Sequence, residues 1–360
     1  MTATLRAVID TAALRHNLSR VRESAPGCRV MAVIKANAYG HGIVAAARAL
    51  AGADAFAVAR IEEAVTLREA GCERRIVLLE GVQDLQELEQ AARYELEPFV
   101  HHPQQIAMLE SWRGAHRFRA WLKIDSGMGR LGFRPAEAPA AAARLAACAA
   151  LMQPSNLVTH LADAEHRGGA ATRAQLEAFA RATAGLPGER SIANSAGLMA
   201  WPEARADWVR PGIMLYGISP FADSTGAELG LRPVMTLETR VISVKAVEPG
   251  DRIGYGGTFT ATRAGRIAVA AAGYGDGYPR SAANGTPVAV NGRHAVIAGR
   301  VSMDMLTIDV TDLPDVAVGD GVELWGPAVP VERVAVAAGT IGYELTCRVS
   351  RRVPHDLRGP

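Results

Sequence analysis

The sequence predicts an α/β chain: a (β/α)8 TIM barrel over residues 1–229, followed by a β-strand-rich domain over residues 230–360. Three observations predict it. Short apolar runs alternate with helical segments through the first 220 residues. Near Leu231 the spacing changes to strict alternation broken by turn pairs. And the apolar run Val30-Met-Ala-Val-Ile34 ends in a lysine, Lys35, where a barrel would place its chemistry.

Taken in order, the expected barrel strands are 30–35, 54–59, 75–80, 96–100, 119–125, 155–161, 190–194 and 208–215. Between them, Ile61-Glu-Glu-Ala-Val-Thr-Leu-Arg-Glu-Ala70 carries helical apolar spacing and is closed by Gly71. Segments 84–94, 136–150 and 172–184 read the same way. Eight strands interleaved with helices suit a closed barrel and overfill a small doubly wound sheet, which stands as the alternative. In the second domain the stretch 237–247 alternates, and Pro249-Gly250-Asp251 turns the chain. Further strands are expected at 266–271, 287–290, 294–298, 305–310 and 321–325. Asn284-Gly285, Asn291-Gly292 and Gly319-Asp320-Gly321 separate them.

Composition removes several function classes. With 49% hydrophobic and 21% charged residues, the chain is that of an ordinary globular protein. Its 39 Lys+Arg are mixed with 37 Asp+Glu for a net charge of +2, so no basic run or stripe points to nucleic acid. No apolar stretch reaches membrane-span length, and the first ten residues lack a secretory signal pattern. The four cysteines, Cys28, Cys72, Cys148 and Cys347, are far apart and form no Cys-x-x-Cys pair. They read as free thiols, with no disulfide framework, and the expected location is the cytoplasm. The nine histidines show no metal spacing, so no metal site is expected.

Barrel active sites lie at the C-terminal ends of the strands, often with a phosphate held after strands 7 and 8. The residues expected there form a chemical set. Strand 1 ends at Lys35 with Tyr39 beyond, and strand 5 runs into Lys123-Ile-Asp-Ser-Gly-Met-Gly-Arg130. Strand 6 ends at Thr159-His160, strand 7 at Asn194-Ser195, and strand 8 carries Arg210-Pro-Gly-Ile213. Desolvation lowers a lysine pKa toward the range in which its amine is a nucleophile able to form a Schiff base. A solvated strand-end lysine is the plain alternative. Likewise His160 reads either as a site residue or as an interior histidine, Arg210 as a site cation or a salt-bridge partner, and Ser195 as a ligand or an N-cap. Taken together, an amine facing a pocket of hydroxyl, amide and backbone donors implies pyridoxal 5′-phosphate (PLP).

The segment Val33-Ile-Lys-Ala-Asn-Ala-Tyr-Gly-His-Gly42 resembles the PLP-lysine signature of bacterial alanine racemases. The resemblance continues through Lys123–Gly132, Trp208-Val-Arg-Pro-Gly-Ile-Met-Leu-Tyr-Gly217, Ile253-Gly-Tyr-Gly-Gly257 and Gly273-Tyr-Gly-Asp-Gly-Tyr278. It ends with Gly299-Arg-Val-Ser-Met-Asp304 and Thr340-Ile-Gly-Tyr343, so it spans nearly the whole chain. It implies racemisation of L- and D-alanine, supplying D-alanine for peptidoglycan or allowing alanine catabolism. Removing a proton from one face and returning it to the other needs two opposed bases. The resemblance implies Lys35 and Tyr255 in those roles, with His160 near Arg210 as a relay. It implies that Arg210 faces the pyridine nitrogen, and that Tyr39, Ser195, Gly212, Ile213 and Tyr343 hold the phosphate with Asn194 beside them. Arg130 and the Met303 backbone N–H would hold the substrate carboxylate.

Lys123 matches a lysine that relatives carry as N6-carboxylysine. A head-to-tail homodimer with shared sites is also implied. Two departures are Ser302, where some relatives carry cysteine, and His355, where relatives tend to carry arginine. Three other readings compete: a PLP barrel decarboxylase, a PLP carrier without turnover, and a racemase of another amino acid such as serine. Arg210 and the Tyr255 motif argue against the first. The extra β-rich domain argues against the second.

Overall fold

The computed structural model describes residues 4–359 and resolves two compact units. Among the described residues, one comprises 17–38 and 43–215; the other comprises 4–16, 39–42 and 216–359.

A strand absent from the sequence expectation comes first: β1 (Arg6–Asp10). The barrel strands follow as β2 (Arg29–Val33), β3 (Ala55–Val58), β4 (Arg75–Leu78), β5 (Leu96–Val100), β6 (Trp121–Lys123), β7 (Asn156–Val158), β8 (Arg190–Ser191) and β9 (Trp208–Val209). All pair in parallel, and β2 returns to β9 through Arg29↔Trp208 and Val30↔Val209, closing the barrel. That pairing removes the open doubly wound alternative. The strands are buried without alternation, four buried residues in a row in β3, as expected where helices cover one face and packed side chains fill the other.

Every barrel strand begins within two residues of its expected start, but most stop early. The eighth was expected to run to 215 and ends at Val209, because Pro211 lacks an N–H and Gly212 leads into the 3-10 turn Ile213–Tyr216. The first was expected to reach Lys35 and ends at Val33. Beyond it Ala36, Asn37, Ala38 and Tyr39 all take left-handed backbone, at φ +52°, +53°, +56° and +52°. Each such L-residue costs about 1–2 kcal/mol, so the turn needs outside support. Asn37 Oδ1 accepts the Ile43 N–H at 2.9 Å, and Ala38 N–H donates to the Ile34 carbonyl at 2.8 Å. Gly40, at φ +84°, is required in the second unit: a Cβ there would sit 2.0 Å from the Thr346 carbonyl oxygen.

The second unit is a β structure built on a long strand, β10 (Met235–Val247), whose first eight residues alternate buried with less buried. The others are β11 (Arg252–Ile253), β12 (Phe259–Thr260), β13 (Gly265–Ala270), β14 (Pro287–Val290), β15 (Arg293–Ile297), β16 (Leu306–Asp309), β17 (Gly321–Trp325) and β18 (His355–Arg358). The sheet order is β13-β16-β15-β14-β17-β10-β1-β18, and β13 also pairs with β10, so six strands form a ring. β1 joins this sheet, antiparallel to β10 and parallel to β18. Two helices, Val331–Ala338 and Gly342–Arg348, complete the unit.

Candidate active site

At the C-terminal mouth of the barrel four cationic groups act on one another. Lys123 ends β6 and is buried, with its Nζ 5.6 Å from the centre of the Phe99 ring. Burial, then the charges of Arg210, Arg130 and Lys35, push its amine down to about 7, against the pull of Asp125. Asp125 is itself engaged, its Oδ1 accepting the N–H groups of Gly127, Met128 and Gly129 at 3.1, 2.8 and 3.0 Å. The exposed Arg130 leaves that loop, and Lys35 stands half-buried at the head of the left-handed turn.

Arg210 follows β9 and is 4% exposed. Its Nη1 donates to Ser191 Oγ at 2.6 Å, and its Nη2 to the carbonyls of Thr159 and Ile192 at 2.5 and 3.2 Å. His160 Nδ1 is 3.4 Å from the same Nη2. No acceptor among the described residues takes the Arg210 Nε–H. Burial lowers the guanidinium to about 10, which leaves it a cation near neutrality. Burial, with Arg210 next, holds the His160 imidazole well below its usual range, so it is neutral.

The phosphate candidates divide between the units. Ser195 is not the N-cap of its helix: Asn194 is, its Oδ1 accepting the Gly197 N–H at 2.9 Å. Ser195 Oγ instead accepts the N–H groups of Gly212 and Met214 at 2.9 and 3.4 Å, which leaves its own O–H to donate. The Gly212 N–H, expected to face a phosphate, is thus spent on Ser195, and Ile213 is buried beside it. In the second unit the Tyr39 ring lies 4.8 Å from Tyr216 at 30° and 6.0 Å from Tyr343. Burial, then Tyr343 and Cys347, raises the Tyr39 hydroxyl, so it is a neutral donor.

Tyr255 and Met303, also in the second unit, share one character: exposure. Tyr255 sits in a glycine-flanked 3-10 turn and is 68% exposed, and Met303 is 54% exposed. Gly275 N–H donates to the Met303 carbonyl at 2.8 Å, while no acceptor among the described residues takes the Met303 N–H.

Two contributors escaped the sequence reading. His41 stacks on Tyr216 at 4.6 Å and 27°, making a column with Tyr39. Ser191, which holds Arg210, was read only as part of a strand. His41 and Tyr216 both lie inside the quoted motifs, so a search for aromatic partners of Tyr39 there would have found them. A cluster of half-buried Asp163 with exposed Glu165 and His166 also lies among the described residues, in the loop after β7, and no metal was expected.

A closed parallel barrel with a lysine and a buried, Nε-unpaired arginine at its mouth, followed by a β-rich unit, defines the class of PLP-dependent barrel enzymes with a β-rich second domain. The comparisons narrow it. The family model of the alanine racemase N-terminal domain matches residues 9–220 and that of the C-terminal domain residues 234–357. The chain is similar to alanine racemase of Nitrosococcus oceani, 51% identical over 98% of this chain and 99% of that one. A crystal structure of the biosynthetic alanine racemase from Pseudomonas aeruginosa superposes at TM-score 0.96, with 45% identity, 99% of this chain and 100% of that one covered. One of Bartonella henselae alanine racemase with covalently bound pyridoxal phosphate superposes at 0.90, with 32% identity over 99% and 100%. The chain belongs to the alanine racemase family, an isomerase family that depends on PLP.

The mouth suits that cofactor by its donors. An amine, a free serine hydroxyl and a cluster of cations with one already-engaged carboxylate match an aldehyde, a phosphate and an anionic ring. The unpaired Arg210 Nε–H matches an unprotonated ring nitrogen.

Proposed function

We propose that this chain interconverts L- and D-alanine with PLP held on Lys35, using Lys35 and Tyr255 as bases on opposite faces of the substrate. The observation that carries the proposal is Arg210: a buried cation with its two Nη atoms tied to the protein and its Nε–H unspent. When bound, PLP supplies an electron sink that acidifies the Cα–H of an amino acid joined to it.

The chain's own groups do the rest. With PLP bound, Lys35 would take or return the proton on one face and Tyr255 would do so on the other. Arg210 keeps a permanent positive charge at the ring nitrogen, which disfavours protonation there and limits side reactions that need a stronger sink. Neutral His160, 3.4 Å from Arg210, is placed to relay charge changes within the mouth. Ser195, Tyr39 and Tyr343 donate to the phosphate, with Asn194 fixing the helix that starts at Ser195 and Gly212 and Ile213 shaping the wall. Arg130 and the unspent Met303 N–H take the substrate carboxylate.

Lys123 is proposed as N6-carboxylysine. With its amine brought down to about 7, a large fraction is neutral at neutral pH and can attack carbon dioxide. The new N–C bond yields a carbamate and releases one proton. A cation among cations then becomes an anion that can hold Arg130. Intact mass from a carbonate-replete preparation is expected to show one added carbon dioxide, absent in Lys123→Met; a plain amine there overturns it.

The exposure of Tyr255, Met303 and Tyr274 supports a head-to-tail homodimer in which each second unit completes the partner's barrel. Lys35→Ala and Tyr255→Phe, mixed and re-dimerised, are then expected to restore about a quarter of the sites, since random pairing gives half heterodimers with one intact site each. No recovery after proven subunit exchange rejects shared sites.

The free, widely spaced cysteines favour the cytoplasm, and among the described residues no helix is long and apolar enough to cross a membrane. Likeness to the biosynthetic enzyme of P. aeruginosa favours D-alanine supply for peptidoglycan over catabolism. Incubation with L-alanine in D2O tests the activity. The expected product is D-alanine deuterated at Cα. Exchange with serine in preference to alanine would move the substrate, and no exchange with PLP bound would favour a carrier.

A further inference from the structure

In the second unit the turn Gly273–Tyr278 lies against the loop Ser302–Met305, which is closed by the Ser302 N–H donating to the Met305 carbonyl at 2.9 Å. Tyr274 N–H donates to the Ser302 carbonyl at 3.0 Å, and Gly275 N–H to the Met303 carbonyl at 2.8 Å. The Ser302 carbonyl and the Met303 N–H belong to one trans peptide and point opposite ways. Holding that carbonyl toward the turn therefore aims the Met303 N–H away from it. The approach is close: a Cβ at Gly273 would sit 2.3 Å from the Met303 carbonyl oxygen, so only glycine fits. One side chain ties turn and loop together. Arg352 Nε donates to Asp276 Oδ1 at 2.6 Å, and its Nη2 to Asp304 Oδ1 at 2.5 Å. Asp276 is buried, and its other oxygen accepts the Gly273 N–H at 2.8 Å, inside the turn. Asp304 follows Met303 directly and is exposed. An ion pair with so exposed a partner adds little to stability. What the bridge fixes is the setting of the loop on the turn.

We propose that Arg352 is a positioning residue: by bridging Asp276 and Asp304 it sets the direction of the Met303 N–H, and with it the hold on the substrate carboxylate. This rests on the reading above that the Met303 N–H takes that carboxylate. A hydrogen bond weakens steeply as its angle closes, so a loop free to swing loses it. The carboxylate is present in ground state and transition state alike, so the loss belongs in KM more than in kcat.

The test uses the PLP-loaded enzyme with alanine as substrate and propionate, which keeps the carboxylate and lacks the amine, as competitor. Arg352→Met is expected to raise the KM for alanine and the Ki of propionate together, about fivefold or more, with kcat within about twofold. Arg352→Lys should fall between, because an ammonium is a point charge and cannot fork across two carboxylates. Loss of a cation also weakens propionate through its field alone, and Asp304→Ala separates the two causes. By field alone, losing that negative charge lowers the Ki, whereas freeing the loop raises it about twofold or more. Unchanged KM and Ki in Arg352→Met, a kcat loss with KM unmoved, or a Ki unmoved or lowered in Asp304→Ala overturns the clamp. Should Arg352→Met fail to fold, Asp304→Ala carries the same decision. Met303→Pro removes the N–H itself and keeps the two failures distinct. A Ki raised there but not in Arg352→Met overturns the clamp alone, and a Ki unmoved there overturns the reading of Met303 and the clamp with it.

Discussion

The two ends of the barrel treat charge in opposite ways. At the N-terminal end, Arg75 donates to the two oxygens of buried Glu97 at 2.6 and 2.8 Å, and Trp121 Nε1 donates to the same carboxylate at 3.0 Å. Arg29 pairs with Glu189, which also accepts the Trp208 Nε1–H at 2.7 Å. The guanidinium carbons of Arg29 and Arg75 lie 4.5 and 4.8 Å from the Trp208 ring centre. Each cation there has its carboxylate, and the indole N–H groups have theirs. At the C-terminal mouth Lys123, Arg130, Arg210 and Lys35 push on one another, and Asp125 spends an oxygen on its own loop. A protein does not gather buried cations without counter-charge for stability's sake. The matched end closes the barrel, whereas the mismatched end is built for an anion the chain does not supply.

That contrast can be broken from either side. The largest effect is expected at the mouth: Lys35→Ala should lower racemisation by about 10³-fold or more, as loss of a base and of the cofactor link together demand. Its melting temperature should stay within a few degrees of the parent, as chiral analysis beside calorimetry would show. A stability loss of the same order as the activity loss would mean that the mouth holds the fold. Next, Glu97→Ala should act in the reverse sense. It leaves Arg75 and the Trp121 N–H without a partner in the barrel floor, for a loss of about 2 kcal/mol. That is below the usual 3–5 for a broken buried pair, because the Arg75 side chain keeps 30% of its exposure. Urea unfolding reads this loss, while the KM for alanine should hardly move. A raised KM with unchanged stability would erase the distinction between the two ends.

How much of this the sequence carries differs between the two ends as well. At the mouth four residues were legible one by one, because chemistry needs particular side chains where strands end: Lys35, Lys123, His160 and Arg210 do gather there, whereas Ser191, which holds Arg210, was not legible. Strand extent was not legible. Lys35 reads as a strand residue, yet four successive left-handed residues follow it, and no propensity predicts alanine at φ +52°. The turn exists because other parts of the chain hold it. The floor was invisible for a related reason: Arg29, Arg75, Glu97 and Glu189 sit far apart in sequence and meet only once the barrel closes. β1 escaped for the same cause. Its partners, β10 and β18, lie more than 220 residues away.

The smallest effect over any one pH unit is the one that probes the mouth's charge most directly. In carbonate-free buffer Lys123 carries a plain amine, lowered in the fold to about 7 from 10.5. Below pH 7 both folded and unfolded chains hold its proton, so the burial of that charge weighs on stability in full. Between about 7 and 10.5 the unfolded chain holds the proton and the folded chain does not, so stability should rise with pH. The slope approaches about 1.4 kcal/mol per pH unit for one group. Lys123→Met should flatten that part of the profile, and carbonate should flatten it in the parent by turning the amine into a carbamate. The matched floor offers a control, since Arg75→Met should shift the whole curve downward and leave this slope in place. A parent profile with no rise above pH 7 in carbonate-free buffer would show that Lys123 finds its counter-charge within the chain, and the two ends of the barrel would then differ in degree only.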